Sequence, residues 1–111
     1  MIIGFADSKF AREVNEEKRL VRAHGAIRAK LIRRRLDELR AADSLADLYN
    51  LSRARCHELH GDRKGQLSVD LDHPYRLLFV PAEPVPYRKD GGLDWTRVEA
   101  VVILGVEDTH D

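Results

Sequence analysis

Residues 55–80 have the sequence RCHELHGDRKGQLSVDLDHPYRLLFV, and their pattern is the most informative in the chain about its fold. Apolar and polar side chains alternate through much of it, for example at 66–71, as they do in strands that bury one face. Turn-forming residues interrupt the alternation at 61–65 and again at 72–74. The stretch therefore predicts three consecutive strands of a meander, the last of them over residues 76–80.

The chain before this stretch has a helical period after one short strand. Ile2–Phe5 is an apolar run that predicts the strand. Asp7 and Ser8 then offer an N-cap for a first helix, which Gly25 ends. The apolar residues of that helix recur at helical spacing: Phe10, Val14 and Val21. A second helix follows, and its predicted apolar stripe consists of Ile27, Leu31, Leu36 and Leu39.

The chain after this stretch contains a loop and a final strand. Residues 81–94 hold three prolines and a Gly-Gly pair, which predicts a long loop that we expect to be mobile. Val98–Val106 is a continuous apolar run, typical of a strand at the centre of a sheet. This order predicts an α+β fold in which two helices pack on one face of a mostly antiparallel sheet. All 111 residues fit a single domain.

The composition is that of a globular protein that needs neither a bound metal nor a disulfide bond to fold. Hydrophobic residues make up 43% and charged residues 34% of the chain. Cys56 is the only cysteine, which excludes an internal disulfide and a thiolate metal cluster within one chain. Its neighbours Arg55 and His57 would lower a thiol pKa, but the alternating pattern favours a small buried strand residue over a nucleophile.

Targeting segments are not evident in the sequence. The N-terminal residues lack the basic start and long apolar stretch of a signal peptide. The apolar runs all fall well short of the roughly 18 residues that a membrane span requires. We therefore expect a cytoplasmic protein with no membrane partner.

The charge is balanced overall but unevenly distributed. The formal net charge is +0, yet residues 9–43 contain 11 Lys and Arg against 6 Asp and Glu, a local excess of five. A basic helix on a neutral protein indicates a face for phosphate groups or for an acidic partner. A solvated helix surface is the ordinary alternative for any single arginine. The candidates for phosphate binding on this helix are Arg28, Lys30, Arg33, Arg34 and Arg35.

Three short motifs occur in the second half of the chain. Residues 56–65 place a histidine before L-x-G-D-x-x-G, residues 74–79 contain R-x-x-F, and residues 106–110 end in D-T-H. In this order, and on the predicted fold, they resemble the HigB branch of the RelE/ParE toxin superfamily. The corresponding motifs of that branch are a histidine before L-x-G-D-x-x-G, x-W-R-x-x-F and a terminal D-Y-H. The resemblance covers essentially the whole chain.

The resemblance implies a toxin of a type II toxin–antitoxin system. Such a protein is a ribosome-dependent mRNA endoribonuclease that inhibits translation and needs neither a metal nor a small-molecule cofactor. Its implied partners are the ribosome, the mRNA and a cognate HigA-like antitoxin. The RNA-binding residues would then be those of the basic helix together with Arg63 and Lys64.

The family's catalytic surface corresponds to four positions of this chain: His57, Arg76, Asp108 and His110. Two further positions depart from the family pattern. His60 stands where a lysine is common, and Thr109 stands where a tyrosine is common. His60 remains a candidate because it supplies either charge or a proton.

These residue types fit the chemistry of RNA cleavage. Attack by the 2′-hydroxyl requires a base for its proton, cations for the crowded phosphate and an acid for the departing 5′-oxygen. Histidine, with an unperturbed pKa of about 6.5, suits the base and acid roles, and the arginine fork suits the phosphate. The scheme requires no metal. The pair His57-x-x-His60 also lacks a convincing third and fourth zinc ligand at a standard spacing.

Other functions fit the same sequence. Each candidate has an ordinary role as well, such as a salt bridge for Arg76 or a hydrogen-bonded strand histidine for His57. A toxin of the ParE kind shares the fold and binds DNA gyrase without being a nuclease. A weakly active relic that mainly binds its antitoxin is a milder form of that alternative, and loss of toxicity with intact complex formation would identify it.

Overall fold

The computed structural model describes residues 1–109, and these residues form three α-helices and five strands. Three short 3₁₀ turns lie between them, at Leu45–Asn50, Gly61–Arg63 and Trp95–Arg97. The helices are α1 (Ser8–Asn15), α2 (Glu17–His24) and α3 (Ala26–Ala41). The strands are β1 (Ile2–Phe5), β2 (His57–Glu58), β3 (Leu67–Asp70), β4 (Tyr75–Pro81) and β5 (Ala100–Asp108).

The five strands of the described chain form one sheet in the order β1-β5-β4-β3-β2. β1 pairs with β5 in parallel, and the other three pairs are antiparallel. Buried residues of the helices share one core with residues of β3, β4 and β5, such as Val69, Leu77 and Ile103. The helices therefore lie on one face of the sheet, and the predicted α+β fold is confirmed.

The region predicted as one helix before Gly25 is two helices. Glu16 has extended backbone angles, φ −132° and ψ 109°, and it ends α1 and begins α2. Phe10 in α1 and Leu20 in α2 are buried, whereas Val21, which we assigned to the apolar stripe, is 37% exposed. The break at Glu16 changes the helical phase, so the inward position falls on Leu20 instead.

The apolar stripe of α3 also differs from the prediction. Ile27 is 74% exposed and Leu31 is only half-buried. The positions that face the core are spaced three or four residues apart and consist of Ala29, Ile32, Leu36 and Leu39, with Arg35 between them. The prediction is confirmed at Leu36 and Leu39 and wrong at Ile27 and Leu31, because a stripe chosen from large apolar residues omits a small alanine and a buried arginine.

The second half of the sheet is more buried than an alternating pattern predicts. Ser68 and Leu78, which lie opposite each other on β3 and β4, are fully buried on the face away from the helices. Residues 81–94 form a folded loop: Ala82 donates its N–H to the Ala100 carbonyl, and Tyr87 pairs with Leu93. Leu93 is buried. Among the described residues, no helix combines the length and the apolar character that crossing a membrane requires.

A bidentate ion pair joins α3 to the turn between β3 and β4. Arg28 donates from Nε and Nη2 to the two carboxylate oxygens of Asp72, at 2.9 and 3.1 Å. Its guanidinium also lies 3.6 Å from the centre of the Tyr75 ring. The hydrogen bonds from Arg28 lower the pKa of Asp72 below its ordinary value of 3.8.

This ion pair predicts an acid-dependent loss of stability. A carboxylate with a lowered pKa in the folded state stabilises the fold above its ordinary pKa, and this contribution disappears as the pH falls through the lowered value. We expect Asp72→Asn to unfold at a lower urea concentration than the wild type at neutral pH, and the difference to shrink below the ordinary pKa of 3.8. A difference between the two proteins that stays constant with pH would contradict this account.

Candidate active site

The candidate site lies on the face of the sheet that the helices leave open. Residues directly opposite each other on neighbouring strands project to the same face. Arg76 on β4 lies opposite Asp70 on β3 and Glu107 on β5. Because Leu77, the next residue along β4, faces the helices, Arg76 and its two neighbours face the open side.

A cleft of about 470 Å³ opens on this side. It brings together four residues that the sequence predicted as functional: His57, His60, Arg63 and Arg76. They come from β2, from the turn that follows it and from β4. The remaining lining residues are Glu58, Leu59, Gly61, Asp62 and Thr109. His57 and His60 line the same cleft although strict strand alternation would place them on opposite faces. The strand ends at Glu58, so alternation does not extend to His60.

His57 is held in a defined orientation. Its Nδ1 lies 2.9 Å from the carbonyl oxygen of Arg55. A carbonyl oxygen only accepts hydrogen bonds, so Nδ1 carries the proton and, in the neutral ring, Nε2 is the unprotonated nitrogen. Arg55 has a positive φ of 46°, which turns the chain just before β2. His57 therefore has the tautomer and the fixed ring that a general base needs.

Arg76 is positioned from two sides. Its Nη1 donates to Oγ1 of Thr109 at 3.0 Å, and its Nε lies 3.4 Å from Oδ1 of Asp70. The contact with Asp70 is an ion pair without hydrogen-bond geometry, because that oxygen has no hydrogen bond among the described residues. A guanidinium has five N–H donors, and these two contacts occupy at most two of them. Arg76 is therefore oriented, and these two contacts leave at least three of its guanidinium N–H donors for a ligand.

Arg63 and Lys64, although adjacent in sequence, line different cavities. Arg63 reaches across the cleft and donates from Nη2 to Glu107 Oε1 at 2.8 Å, which ties the 3₁₀ turn to β5. Lys64 is exposed and does not line this cleft; it lies at an adjoining groove. Glu58 and Asp62 also line the cleft, and Asp70 and Glu107 pair with its arginines, so the two guanidinium groups do not give the cleft a net positive charge.

Asp108 and His110 are the two candidates near the end of the sequence, and of these the structure describes only Asp108. Asp108 lies opposite Tyr75, whose ring contacts Arg28 of α3 on the helix-bearing face. Strand pairing therefore places Asp108 on that same face, away from the cleft that holds His57, His60 and Arg76. His110 lies outside the described residues.

The five candidate phosphate-binding residues of α3 do not form one face. Lys30, Arg33 and Arg34 are exposed, and Arg33 contacts Glu17 at 3.3 Å. Arg28 is held by Asp72 and is partly covered. α3 packs on the helix-bearing face of the sheet, so its exposed basic residues and the cleft lie on opposite sides of the molecule.

Arg35 corrects the prediction for this helix. Its exposed fraction is 5%, and its guanidinium donates to the carbonyl oxygens of Asp70 and Arg53 and to the carboxylate of Glu38. A side chain enclosed in this way is not available to RNA. Arg35 is a structural residue that joins α3 to the chain segments beside the cleft.

Cys56 is buried in the core, as predicted. It lies just before β2 rather than within the strand. Burial, assisted by the negative charge of Glu58, raises the pKa of its thiol to about 12. The thiol is therefore protonated at neutral pH and has none of the thiolate character of a nucleophilic cysteine.

Several residues of the site were missed by sequence reasoning. Thr109 was noted only as a departure from a motif, yet its hydroxyl accepts a hydrogen bond from Arg76. Asp70 and Glu107 pair with the two arginines of the cleft. Their strand positions carried a usable signal, because a carboxylate and an arginine on adjacent antiparallel strands are candidates for a cross-strand pair.

No protein-family model matches this chain, and no match was found among curated proteins. The functional argument therefore depends on the site itself. Within residues 1–109, no three His, Cys, Asp or Glu side chains are grouped closely enough to hold a metal ion together. The cleft combines an oriented imidazole, a second histidine and two guanidinium groups, which is a donor set for acid–base chemistry on a bound anion.

Proposed function

We propose that this protein is the toxin of a type II toxin–antitoxin system and acts as a ribosome-dependent mRNA endoribonuclease. One observation carries the proposal: residues from separate chain segments, His57, His60, Arg63 and Arg76, meet in a single open cleft. The residues surrounding them hold His57 and Arg76 in defined orientations. The α+β order, with one strand, then helices and then a run of strands, agrees with the fold expected from the resemblance to the toxin superfamily.

The reaction assigns one role to each group. Nε2 of His57 accepts the proton of the RNA 2′-hydroxyl as the 2′-oxygen attacks the adjacent phosphorus. The open donors of Arg76 bind the phosphate oxygens, whose negative charge is more crowded in the transition state. His60, at the rim, donates a proton to the 5′-oxygen as the phosphorus–oxygen bond breaks. The products are a 2′,3′-cyclic phosphate and a 5′-hydroxyl, and no metal or cofactor participates.

The charges of the cleft support a requirement for the ribosome. Arg63 and Arg76 each have a carboxylate neighbour, so the cleft attracts free RNA only weakly. The ribosome would supply the mRNA in a fixed position and so reduce the entropic cost of binding. Lys30, Arg33 and Arg34, on the opposite side of the molecule, would contact ribosomal RNA. The proposed partners are thus the ribosome, mRNA and a HigA-like antitoxin, all in the cytoplasm.

The test is a reconstituted translation reaction with purified protein, in which mRNA ends are mapped by primer extension. We expect cuts that require ribosomes and leave 5′-hydroxyl ends. His57→Ala removes the general base and should slow cleavage by about 10²–10⁴-fold. His73→Ala, at the turn between β3 and β4 and outside the cleft, is the matched control and should cleave like the wild type.

Intact mRNA with translation unimpaired would contradict the nuclease proposal. The same preparation should then be tested against DNA gyrase, the target of the ParE kind of toxin. Inhibition of gyrase supercoiling together with intact mRNA would favour the non-enzymatic alternative. Binding of an antitoxin without either activity would identify a relic.

A further inference from the structure

A second cavity adjoins the cleft. It is a groove of about 740 Å³ between the strands and the folded loop of residues 81–94. Its walls are mainly apolar and include Leu59, Val80, Val85, Tyr87, Leu93 and Leu104. The proposed reaction uses none of these side chains.

The groove and the cleft share a wall. Both are lined by residues 58–61, which form a ridge between them. His60, the proposed acid, lies on this ridge, and Lys64 lies on the groove side of it. A ligand that binds across the ridge would have one part among the guanidinium groups and the next part against apolar walls.

The loop that forms the outer wall is held in place by its own hydrogen bonds. Arg88 donates its backbone N–H to the Gly92 carbonyl at 2.7 Å, and the Asp90 carboxylate accepts from the Gly92 N–H at 2.8 Å. Gly91 adopts a φ of 90°, which favours glycine at the tip of this turn. Tyr87 begins this turn and is 59% exposed. Its ring is thus a large accessible surface on a fixed backbone.

We propose that the groove binds the base of the nucleotide next to the cleaved phosphate, with Tyr87 as a stacking surface. The inference rests on the proposed function and adds a base-binding subsite to it. A nucleotide combines an anionic phosphate with a flat, largely apolar ring, and the two adjoining cavities offer guanidinium groups and apolar walls side by side. Unpaired RNA bases commonly stack on aromatic side chains. An apolar peptide would fit the groove but would leave the adjoining guanidinium groups unused.

The first experiment compares Tyr87→Ala, Tyr87→Phe and wild type in cleavage of ribosome-bound mRNA. Loss of the ring should slow cleavage at preferred codons by roughly 5- to 100-fold, in line with the contribution of one stacked base. It should also flatten the distribution of cuts among codons. Tyr87→Phe keeps the ring and should retain the wild-type rate and distribution. Tyr49→Ala removes another exposed tyrosine, which lines neither cavity, and should have no effect.

The second experiment needs no ribosome. The four nucleoside 3′-monophosphates are titrated into ¹⁵N-labelled wild type and Tyr87→Ala, and amide shifts are followed by NMR. We expect shifts at Leu59, Tyr87 and Leu93 in the wild type, weakened in Tyr87→Ala. Wild-type cleavage that is unchanged in Tyr87→Ala, without nucleotide-induced shifts at the groove, would overturn the subsite and leave the nuclease intact. A wild type that cuts no mRNA on ribosomes would overturn the nuclease, and the subsite with it.

Discussion

Arg76→Ala is expected to slow mRNA cleavage on the ribosome by about 10²–10³-fold, because it removes the proposed donor fork for the phosphate. The side chain is about one-quarter exposed and its loss removes the contacts with Asp70 and Thr109, so the rate is compared only for protein shown to be folded. Asp70, its carboxylate neighbour, keeps a contact with Arg55 at 3.5 Å. The measurement is the single-turnover rate of mRNA cleavage in the reconstituted translation reaction, with circular dichroism to confirm the fold.

Two further variants make this prediction specific. Arg76→Lys keeps the charge but lacks the planar fork, so its rate should lie between those of the wild type and Arg76→Ala. Arg97→Ala removes a positive charge from a side chain that is 65% exposed and lies outside the cleft, and it should cleave normally. If Arg76→Ala and Arg97→Ala cleave equally fast, Arg76 has no role beyond its ion pair with Asp70.

The fold was largely predictable because short-range patterns specify most of its elements. The alternation at residues 66–71 identified β3, the segment after the turn at 72–74 identified β4, and the apolar runs near the two ends of the chain identified β1 and β5. Patterns that depend on tertiary contacts were less informative. The separation of α1 from α2 at Glu16 has no proline or glycine to mark it, and it depends on how Phe10 and Leu20 pack in the core.

The candidate site was predictable only where strand positions determine it. His57 on β2 and Arg76 on β4 lie in the same sheet with only β3 between them, and the motifs around them named the correct strands. Asp108 was assigned from its place in a terminal motif, but strand alternation puts it on the opposite face from Glu107. To predict from sequence which face Asp108 shares with Arg76, one needs the pairing register between β4 and β5. A bulge beside Leu78 shifts that register.

The basic helix shows why charge clusters cannot be assigned residue by residue from sequence. Arg34 and Arg35 are adjacent and have the same side chain, yet one is exposed and the other is buried. The acceptors that make burial of Arg35 possible include two carbonyl oxygens that lie 18 and 35 residues away along the chain. Helical periodicity contains no information about such distant acceptors.

Arg35→Met is therefore expected to lower the free energy of unfolding by about 2–4 kcal/mol, since it leaves buried hydrogen-bonding groups without their donor. Methionine keeps most of the apolar stem and so limits the cavity. The carbonyl oxygens of Asp70 and Arg53 lose bonds of 2.7 and 3.1 Å, and Glu38 loses its cation at 2.9 Å. Urea unfolding should show a lower midpoint with an unchanged slope.

Arg34→Met is the matched control on the same helix. It makes the same substitution one position away on the exposed surface, and it should change the free energy of unfolding by no more than about 0.5 kcal/mol. The two variants also separate folding from RNA contact. Under the proposed function, Arg34→Met should weaken ribosome binding while the fold is kept, whereas Arg35→Met should act through stability. Equal unfolding midpoints for the two variants would mean that the buried guanidinium contributes no net stability, and that Arg35 does not anchor the β3 segment carrying Asp70.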